Sequence, residues 1–387
     1  MSSPSAPPFG LSERARRLRA DLLGFMDTQV YPAEAVCAEQ MAAAGDPHHH
    51  PAVVEELKVQ ARRRGLWNLF HPDPRWGAGL SNSEYAPLAE IMGRSPLLAP
   101  EVCNCNAPDT GNMEVLSQFG TPEHHERWLR PLLEGTIRSA FAMTEPEVAS
   151  SDPTNLRARL TRAADGHLLN GRKWFASGAL HPNCRVLIVL ATTDPDAPPH
   201  RRQSMTVVPI DAPGVRIVRN LPVFGYHDRE GHAELSFTDV AVPPTDLLAG
   251  EGQGFAIGQA RLGPGRIHHS MRAIGMAERA LELLCRRALS RSTFGAPLAE
   301  RENIRDWIAD ARIDIEKSRL LTMKAAWLMD TAGNKAARTE IAAIKVDAPA
   351  MGLRIVDRAI QVWGAAGVTD DVPLAMFWTH LRALRIA

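Results

Sequence analysis

The sequence has no surplus of either charge: 44 Lys and Arg stand against 44 Asp and Glu over 387 residues. A nucleic-acid partner, which needs a basic excess to neutralise phosphates, is therefore not expected. There is no apolar run long enough to span a bilayer. The opening segment, Met1 to Gly10, is rich in Pro and Ser and lacks an apolar signal region. A cytoplasmic protein is the expectation. Cysteine is sparse and odd in number, with Cys37, Cys103, Cys105, Cys184 and Cys285 scattered along the chain. That argues against a disulfide framework and matches reduced thiols. Cys103 and Cys105 form the one close pair and lack a second pair at zinc spacing, so no metal site is expected. His48-His49-His50, between Pro47 and Pro51, reads as a solvated loop rather than a ligand set.

What is present suffices for a large core. Hydrophobic residues make up 45% of the chain, and the length predicts about two or three domains. From Ser12 to Gly135, helical segments such as Pro51 to Arg64 and Ser83 to Met92 alternate with Gly and Pro. Thr121-Pro-Glu-His124 combines a Thr cap, Pro at the first helical position and an acidic first turn. Between Leu156 and Leu247 the period becomes two. Leu156 to Leu160, His167 to Trp174 with a turn at Asn170-Gly171, Arg185 to Ala191, Ser204 to Ile210 and Ala233 to Asp239 read as strands. About six or seven strands without intervening helices predict an antiparallel sandwich or barrel. After Gly254 the helical period returns. Ile304, Trp307, Ile308, Ala311 and Ile315 share one face, with Arg312 and Glu316 off it at ion-pair spacing. The expected fold class is α+β multidomain: an N-terminal helical domain over 12–138, a middle antiparallel β-domain over 139–248 and a C-terminal four-helix bundle over 249–387.

Phe141-Ala-Met-Thr-Glu-Pro-Glu-Val-Ala-Ser-Ser-Asp152 lies where the helical pattern gives way to the strand pattern. Thr144, Ser150, Ser151, Asp152 and the backbone of a Pro-fixed turn can aim donors at a ligand. On residue chemistry alone the stretch reads equally as a ligand-binding turn or as a polar joint between domains.

The same stretch resembles a motif of the acyl-CoA dehydrogenases, and further segments agree in order and spacing. Lys173-Trp174-Phe175 is similar to the family's Lys-x-Trp-hydrophobic segment. Arg291-Ser-Thr-Phe-Gly295 resembles its Arg-x-Thr-Phe-Gly motif, and Gln361-Val-Trp-Gly-Ala-Ala-Gly367 its Gln-hydrophobic-x-Gly-Gly-x-Gly motif. The resemblance runs from about residue 12 to the end. Ala149 to Asp152, Leu262 to His269 and Ile315 to Thr322 look most like the branch whose animal members carry a fused phosphotransferase-like domain, which these 387 residues do not contain.

The resemblance implies FAD as cofactor and assigns expected roles. Phe141, Met143 and Thr144 would lie along the isoalloxazine, with the Thr144 hydroxyl toward its pyrimidine edge, where a donor stabilises developing charge. Ser150 belongs to the same cofactor contact, and Ser151 would touch the thioester end of the ligand. Trp174, Phe175 and Ala176 would flank the flavin; as a plain strand aromatic, Trp174 needs no ligand. Arg291, Thr293 and Phe294 would reach the adenosine-diphosphate part of FAD in a neighbouring subunit, where Arg can pair bidentately with pyrophosphate. Gln361, Gly364 and Ala365 would meet the same cofactor, although Gly364 to Gly367 also reads as a helix-ending turn. Gly263, Pro264, Gly265 and Arg266 would line the acyl-CoA pocket, with Arg266 close to the catalytic centre. Cross-subunit contacts imply a homo-oligomer, a homodimer or a dimer of dimers (a homotetramer).

Two departures from the family pattern stand out. The family's hydroxyl residue two after the tryptophan is Ala176 here. The catalytic carboxylate comes in the family either from the position of Gly265 or from just after the final Arg-x-x-Arg stretch, so the base is expected immediately beyond Ala387. The implied activity is FAD-dependent α,β-dehydrogenation of an acyl-CoA to the trans-2-enoyl-CoA, in fatty acid β-oxidation, with an electron-transferring flavoprotein as acceptor. Two alternatives keep the fold: a flavin oxidase or monooxygenase, suggested by Ala176, and a non-catalytic FAD-binding partner subunit, in which the missing base is genuine.

Overall fold

The computed structural model describes residues 10–387; the Pro- and Ser-rich opening therefore lies, apart from Gly10, outside the described residues. Ser12 caps α1 (Glu13–Phe25) by accepting from the Ala15 amide, and a π-turn over Met26–Val30 carries the helix on into α2 (Tyr31–Ala44). Then follow α3 (Ala52–Arg63), α4 (Asn82–Gly93), α5 (Ala99–Val102), α6 (Asp109–Phe119), α7 (Pro122–His124) and α8 (Arg130–Glu134). The Thr121 start forms as its chemistry predicts, its hydroxyl accepting from the His124 amide at 3.2 Å.

Strands β1 (Arg138–Ala142), β2 (Arg159–Ala163), β3 (Gly166–Ser177), β4 (Cys184–Thr192), β5 (Gln203–Pro209), β6 (Val215–Asn220) and β7 (His232–Val242) form one sheet in the order β1-β4-β2-β3-β7-β6, with β5 also paired to β4. Two features differ from the sequence expectation. The sheet is mixed, because β1 and β2 both pair with β4 in parallel. Asn170-Gly171 is not a turn but lies within β3: Gly171 sits at φ +143° with Ala158 so close that an added Cβ would be 2.8 Å from its Cα. That glycine marks a strand irregularity with close backbone approach, the other use of Gly in a sheet.

Helix α9 (Gly254–Ser290) follows, then a small hairpin of β8 (Ser292–Thr293) and β9 (Ala296–Pro297), then α10 (Glu302–Ala332), α11 (Arg338–Trp363) and α12 (Leu374–Leu384). Ile304, Ala311 and Ile315 are buried as their spacing predicts, and Arg312 pairs with Glu316 at 3.1 Å and with Glu278 of α9 at 2.5 Å. N-terminal helices and the C-terminal bundle share one core, joined where Gly93 of α4 meets the α9 backbone at Arg272 and Gly275 meets that of α4. The sheet carries a second core through Ala140, Leu169, Leu187, Leu235 and Phe237. No described helix is long and apolar enough to cross a membrane.

Candidate active site

The first motif is held in place by buried charge. Arg138, opening β1, is 3% exposed and gathers three carboxylates: Glu101 of α5 at 2.9 Å, Glu230 at 2.8 Å, and Asp109 of α6. Its guanidinium is held charged by these acids, while burial pushes the Glu230 carboxyl up. Asp109 also accepts from the Ser139 amide at 2.8 Å. Two helices and the 228–231 loop are thereby fixed to the strand that delivers Phe141. One turn of chain later, the buried Lys173 ammonium of β3 donates to Glu145 Oε1 and to the Met143 carbonyl, both at 2.8 Å. Glu145 in turn accepts from the Arg157 and Ala158 amides at 2.6 and 2.9 Å. Desolvation pulls Lys173 down to about 8.

This pair presses the motif against β3. The Thr144 hydroxyl donates to the Trp174 carbonyl at 2.6 Å and the Trp174 amide donates to the Thr144 carbonyl at 3.0 Å. Pairing between β3 and β7 slips between Lys173 and Ala176, and Phe175 takes φ +50° there. The bulge turns Phe175 outward to 45% exposure, edge-on to Trp174 with ring centroids 5.2 Å apart. Ala176 returns to the ladder opposite Ala233 and is buried, while the next hydroxyl, Ser177 Oγ, is 2.8 Å from His232 Nδ1. Ser150 is spent inside the turn, accepting from the Glu145 amide at 2.8 Å, whereas Ser151 is exposed.

Helix α9 meets this motif where the Arg261 guanidinium lies over the Phe141 ring. Gly263 packs against Asn334, where an added Cβ would lie 2.5 Å from Asn334 Oδ1. Gly265, two residues on and so pointing the other way, has nothing within 4 Å of an added Cβ. Of the two glycines, Gly265 faces space and Gly263 serves packing. Arg266 is half-buried beside Lys345 of α11, whose ammonium is lowered by burial and by Arg266 and donates to the Leu384 carbonyl at the end of α12. The last turn of the chain thus converges on the Arg266 region. His269 of α9 and His380 of α12 are held neutral mainly by burial; each also senses Arg272, and His269 senses His380.

The other two motifs lie elsewhere in the subunit. Residues 266 to 291 span about 38 Å of helix at 1.5 Å per residue, so Arg291 leaves α9 far from Arg266. Thr293 and Phe294 form the tip of the β8–β9 hairpin, with Phe294 fully exposed at φ +51°. Gln361 lies in the last turn of α11 before the Gly364 turn, φ +66°, and Trp363, which ends the helix, donates to the Leu283 carbonyl at 3.1 Å. Within one chain the structure brings Phe141 to Ser151, Trp174 and Phe175 together, and keeps Arg291 to Phe294 and Gln361 to Ala365 apart from them.

Sequence reading quoted Glu145, Lys173 and His269 only within motifs and gave them no supporting role, and it passed over Arg138, His232 and His380. A further one is Glu114 of α6, 5% exposed, whose carboxyl burial pushes up to about 8 against the opposing pull of Arg261. Between the ordinary glutamate value and 8 the folded state keeps a proton that the unfolded chain has lost, so stability falls as pH rises through that window. Glu114→Gln removes this slope. By urea unfolding the variant is expected to exceed the wild type by about 3 kcal/mol at pH 7 and to match it near pH 4.

The histidine triplet is not a solvated loop. His48 Nδ1 lies 3.1 Å from the Arg229 carbonyl and His50 Nε2 2.7 Å from Glu55 Oε1, and all three rings are partly covered. His50, Glu101 and His181 place possible metal ligands within 4.8 Å of one another. Glu101 is already bonded by Arg138 and Arg229 and stands 3.7 Å from Lys58, a cationic surrounding that opposes a second charge.

Comparison with known proteins agrees with this architecture. Family models match along the chain: acyl-CoA dehydrogenase N-terminal domain over 12–136, middle domain over 140–240 and C-terminal domain over 252–387. Probable acyl-CoA dehydrogenase FadE2 of Mycobacterium tuberculosis is 54% identical over 379 residues, covering 98% of this chain and 92% of its own. Acyl-CoA dehydrogenase family member 10 of Mus musculus is 50% identical over 98% of this chain, which spans only 36% of that longer protein. A Mycobacterium abscessus structure of the same kind is 51% identical with a TM-score of 0.94, covering 98% and 95% of the two chains. Fold and site together define a flavin-dependent oxidoreductase. The chain belongs to the acyl-CoA dehydrogenase family, whose cofactor is FAD. The residues present fit that cofactor: Trp174 and the outward Phe175 offer an uncovered aromatic wall to a flat ring, next to the motif carrying Thr144 and the exposed Ser151.

Proposed function

We propose that the protein dehydrogenates an acyl-CoA thioester between its α and β carbons, giving the trans-2-enoyl-CoA. The observation that carries this reading is the pairing of the Thr144 and Trp174 backbones. It leaves Trp174 and the outward Phe175 as an uncovered aromatic wall, while α9 meets the same motif through Arg261 over the Phe141 ring and leaves open space at Gly265. Bound FAD supplies the acceptor for the β-hydride. Phe141, Met143, Thr144, Ser150, Trp174, Phe175 and Ala176 hold its ring, and Ser151 with Gly265 and Arg266 orients the thioester. Gly263 and Pro264 shape the helix that presents them. Arg266 adds positive potential where enolate character develops at the thioester carbonyl.

The α-proton goes to a carboxylate that we place just after Ala387. Support comes from the convergence of α12 on Arg266 through Lys345 and the Leu384 carbonyl. In the gene product, changing the first Asp or Glu after Ala387 to its amide is expected to lower kcat by about 10²–10⁴ while leaving FAD bound. An unchanged kcat would move the base elsewhere.

Arg291, Thr293, Phe294, Gln361, Gly364 and Ala365 hold the adenosine diphosphate of FAD in a second copy, because in their own chain they stand apart from the ring contacts. A homodimer, or a tetramer built from two, is the corresponding assembly. Leu289, Phe294, Ile313 and Val346 expose apolar surface on the hairpin and bundle that such an assembly would cover. An electron-transferring flavoprotein is the proposed electron acceptor, and fatty acid β-oxidation the proposed setting. The ancestry shared with family members 10 and 11 supports the branch assignment. The assay is turnover of a panel of acyl-CoAs with that acceptor against turnover with oxygen alone. Hydrogen peroxide as the stoichiometric product would instead establish the oxidase reading that Ala176 suggests.

A further inference from the structure

Arg261 is a cation in search of an anion. It lies on α9 one turn before Gly265, with its guanidinium over the Phe141 ring, Cζ 3.9 Å from the centroid. Its hydrogen bonds are long and go to neutral acceptors: Nε donates to Asn112 Oδ1 at 3.3 Å and Nη2 to the Pro108 carbonyl at 3.5 Å. Among the described residues, no carboxylate oxygen comes within 4.0 Å of it. Its two acidic neighbours are otherwise engaged. Asp109 is taken by Arg138 and Ser139, and burial keeps Glu114 largely protonated at neutral pH.

The surroundings are shaped on one side and open on the other. On α6, a Cβ added to Gly111 would sit 2.9 Å from Arg261 Nε, so the guanidinium lies in the room that glycine leaves. Gly258 and Gly265 flank Arg261 on its own face of α9, and a Cβ at either meets nothing within 4 Å even though Gly258 is buried. A half-buried guanidinium held only by an aromatic ring and two long bonds to neutral acceptors is incompletely paired, and a bidentate oxyanion completes it best.

We propose that Arg261, assisted by Asn112, binds an anionic oxygen group carried on the acyl chain of the substrate. The inference rests on the acyl-CoA reading above and names the substrate class within it. The cofactor's pyrimidine edge is a poorer candidate for this charge. It is assigned to Thr144, three residues beyond Phe141 and so about 10 Å along extended chain. A methyl-terminated chain would leave the guanidinium unpaired against alkane.

The test is a titration of the flavin absorbance of the purified holoprotein with CoA thioesters of matched length. They end in methyl, hydroxyl or carboxylate. The carboxylate thioester is expected to bind at least about tenfold more tightly than the methyl one, and Arg261→Met to bring the two to near parity. Glu114→Gln should keep the preference. Equal affinities in the wild type, a preference that survives Arg261→Met, or an equal gain from the hydroxyl would each overturn the proposal. The wild-type comparison decides alone if the Met variant does not retain flavin. If no thioester perturbs the flavin, the acyl-CoA reading fails and this inference with it; if all perturb it equally, only this inference fails.

Discussion

Arg138→Leu is expected to leave almost no folded protein. The substitution strands Asp109 and Glu230 in an interior where Arg138 is their counter-ion, and leaves Glu101 to Arg229 and Lys58. Breaking one buried pair costs about 3–5 kcal/mol, and a domain has only about 5–15 kcal/mol in hand. With two acids stranded, the loss should approach the whole of that margin. Arg138→Lys retains the charge but not the three-way fork, so an intermediate loss is expected. Soluble yield and urea midpoints check both. A leucine variant within about 1 kcal/mol of the wild type would mean that the acids are neutral or hydrated, and that the cluster does not fix β1.

Glu145→Ala is the second large effect, and it separates stability from cofactor binding. It removes the counter-ion of Lys173, which is wholly buried, and the acceptor of the Arg157 and Ala158 amides. The expected cost is about 3–5 kcal/mol. Because Lys173 also ties down the Met143 carbonyl, the Thr144–Trp174 contact should loosen and FAD affinity should fall. The double variant Glu145→Leu with Lys173→Met removes both charges. It should recover part of the stability, leaving the two amides unpaired, and little of the affinity. Stability is read by urea unfolding and affinity by release of flavin fluorescence. Undiminished flavin affinity in Glu145→Ala would remove the pair from any positioning role.

These two clusters mark the boundary of what the sequence discloses. The helix, strand, helix plan was legible because burial imposes a period: α10 alternates at 3.6 and β4 is a run of buried Val, Leu and Ile. The strands that went unread lack such a period. β6, Val215-Arg-Ile-Val-Arg-Asn220, is an almost wholly exposed edge strand, and β1 is a five-residue piece buried on both sides. Asn170-Gly171 misled because the dipeptide suits both a hairpin turn and a strand irregularity, and only the neighbouring Ala158 decides which. Of the site, the motif turn and the α9 glycines were visible as local patterns. Glu145 and Lys173 are 28 residues apart and Arg138 and Glu230 are 92 apart. No local spacing announces such pairs; an arginine opening a buried strand and a lysine on its inward side are the only hints. The family resemblance proposes what touches the cofactor, and the fold shows what holds those residues in place.

The central claim is dehydrogenation of an acyl-CoA. The most direct measurement is the visible spectrum of the purified protein under anaerobic conditions, before and after addition of acyl-CoAs of differing length and terminus. The account predicts flavin bands that bleach with at least one thioester, and an enoyl-CoA in the quenched mixture. Flavin that is present and never bleaches with any of them would contradict it.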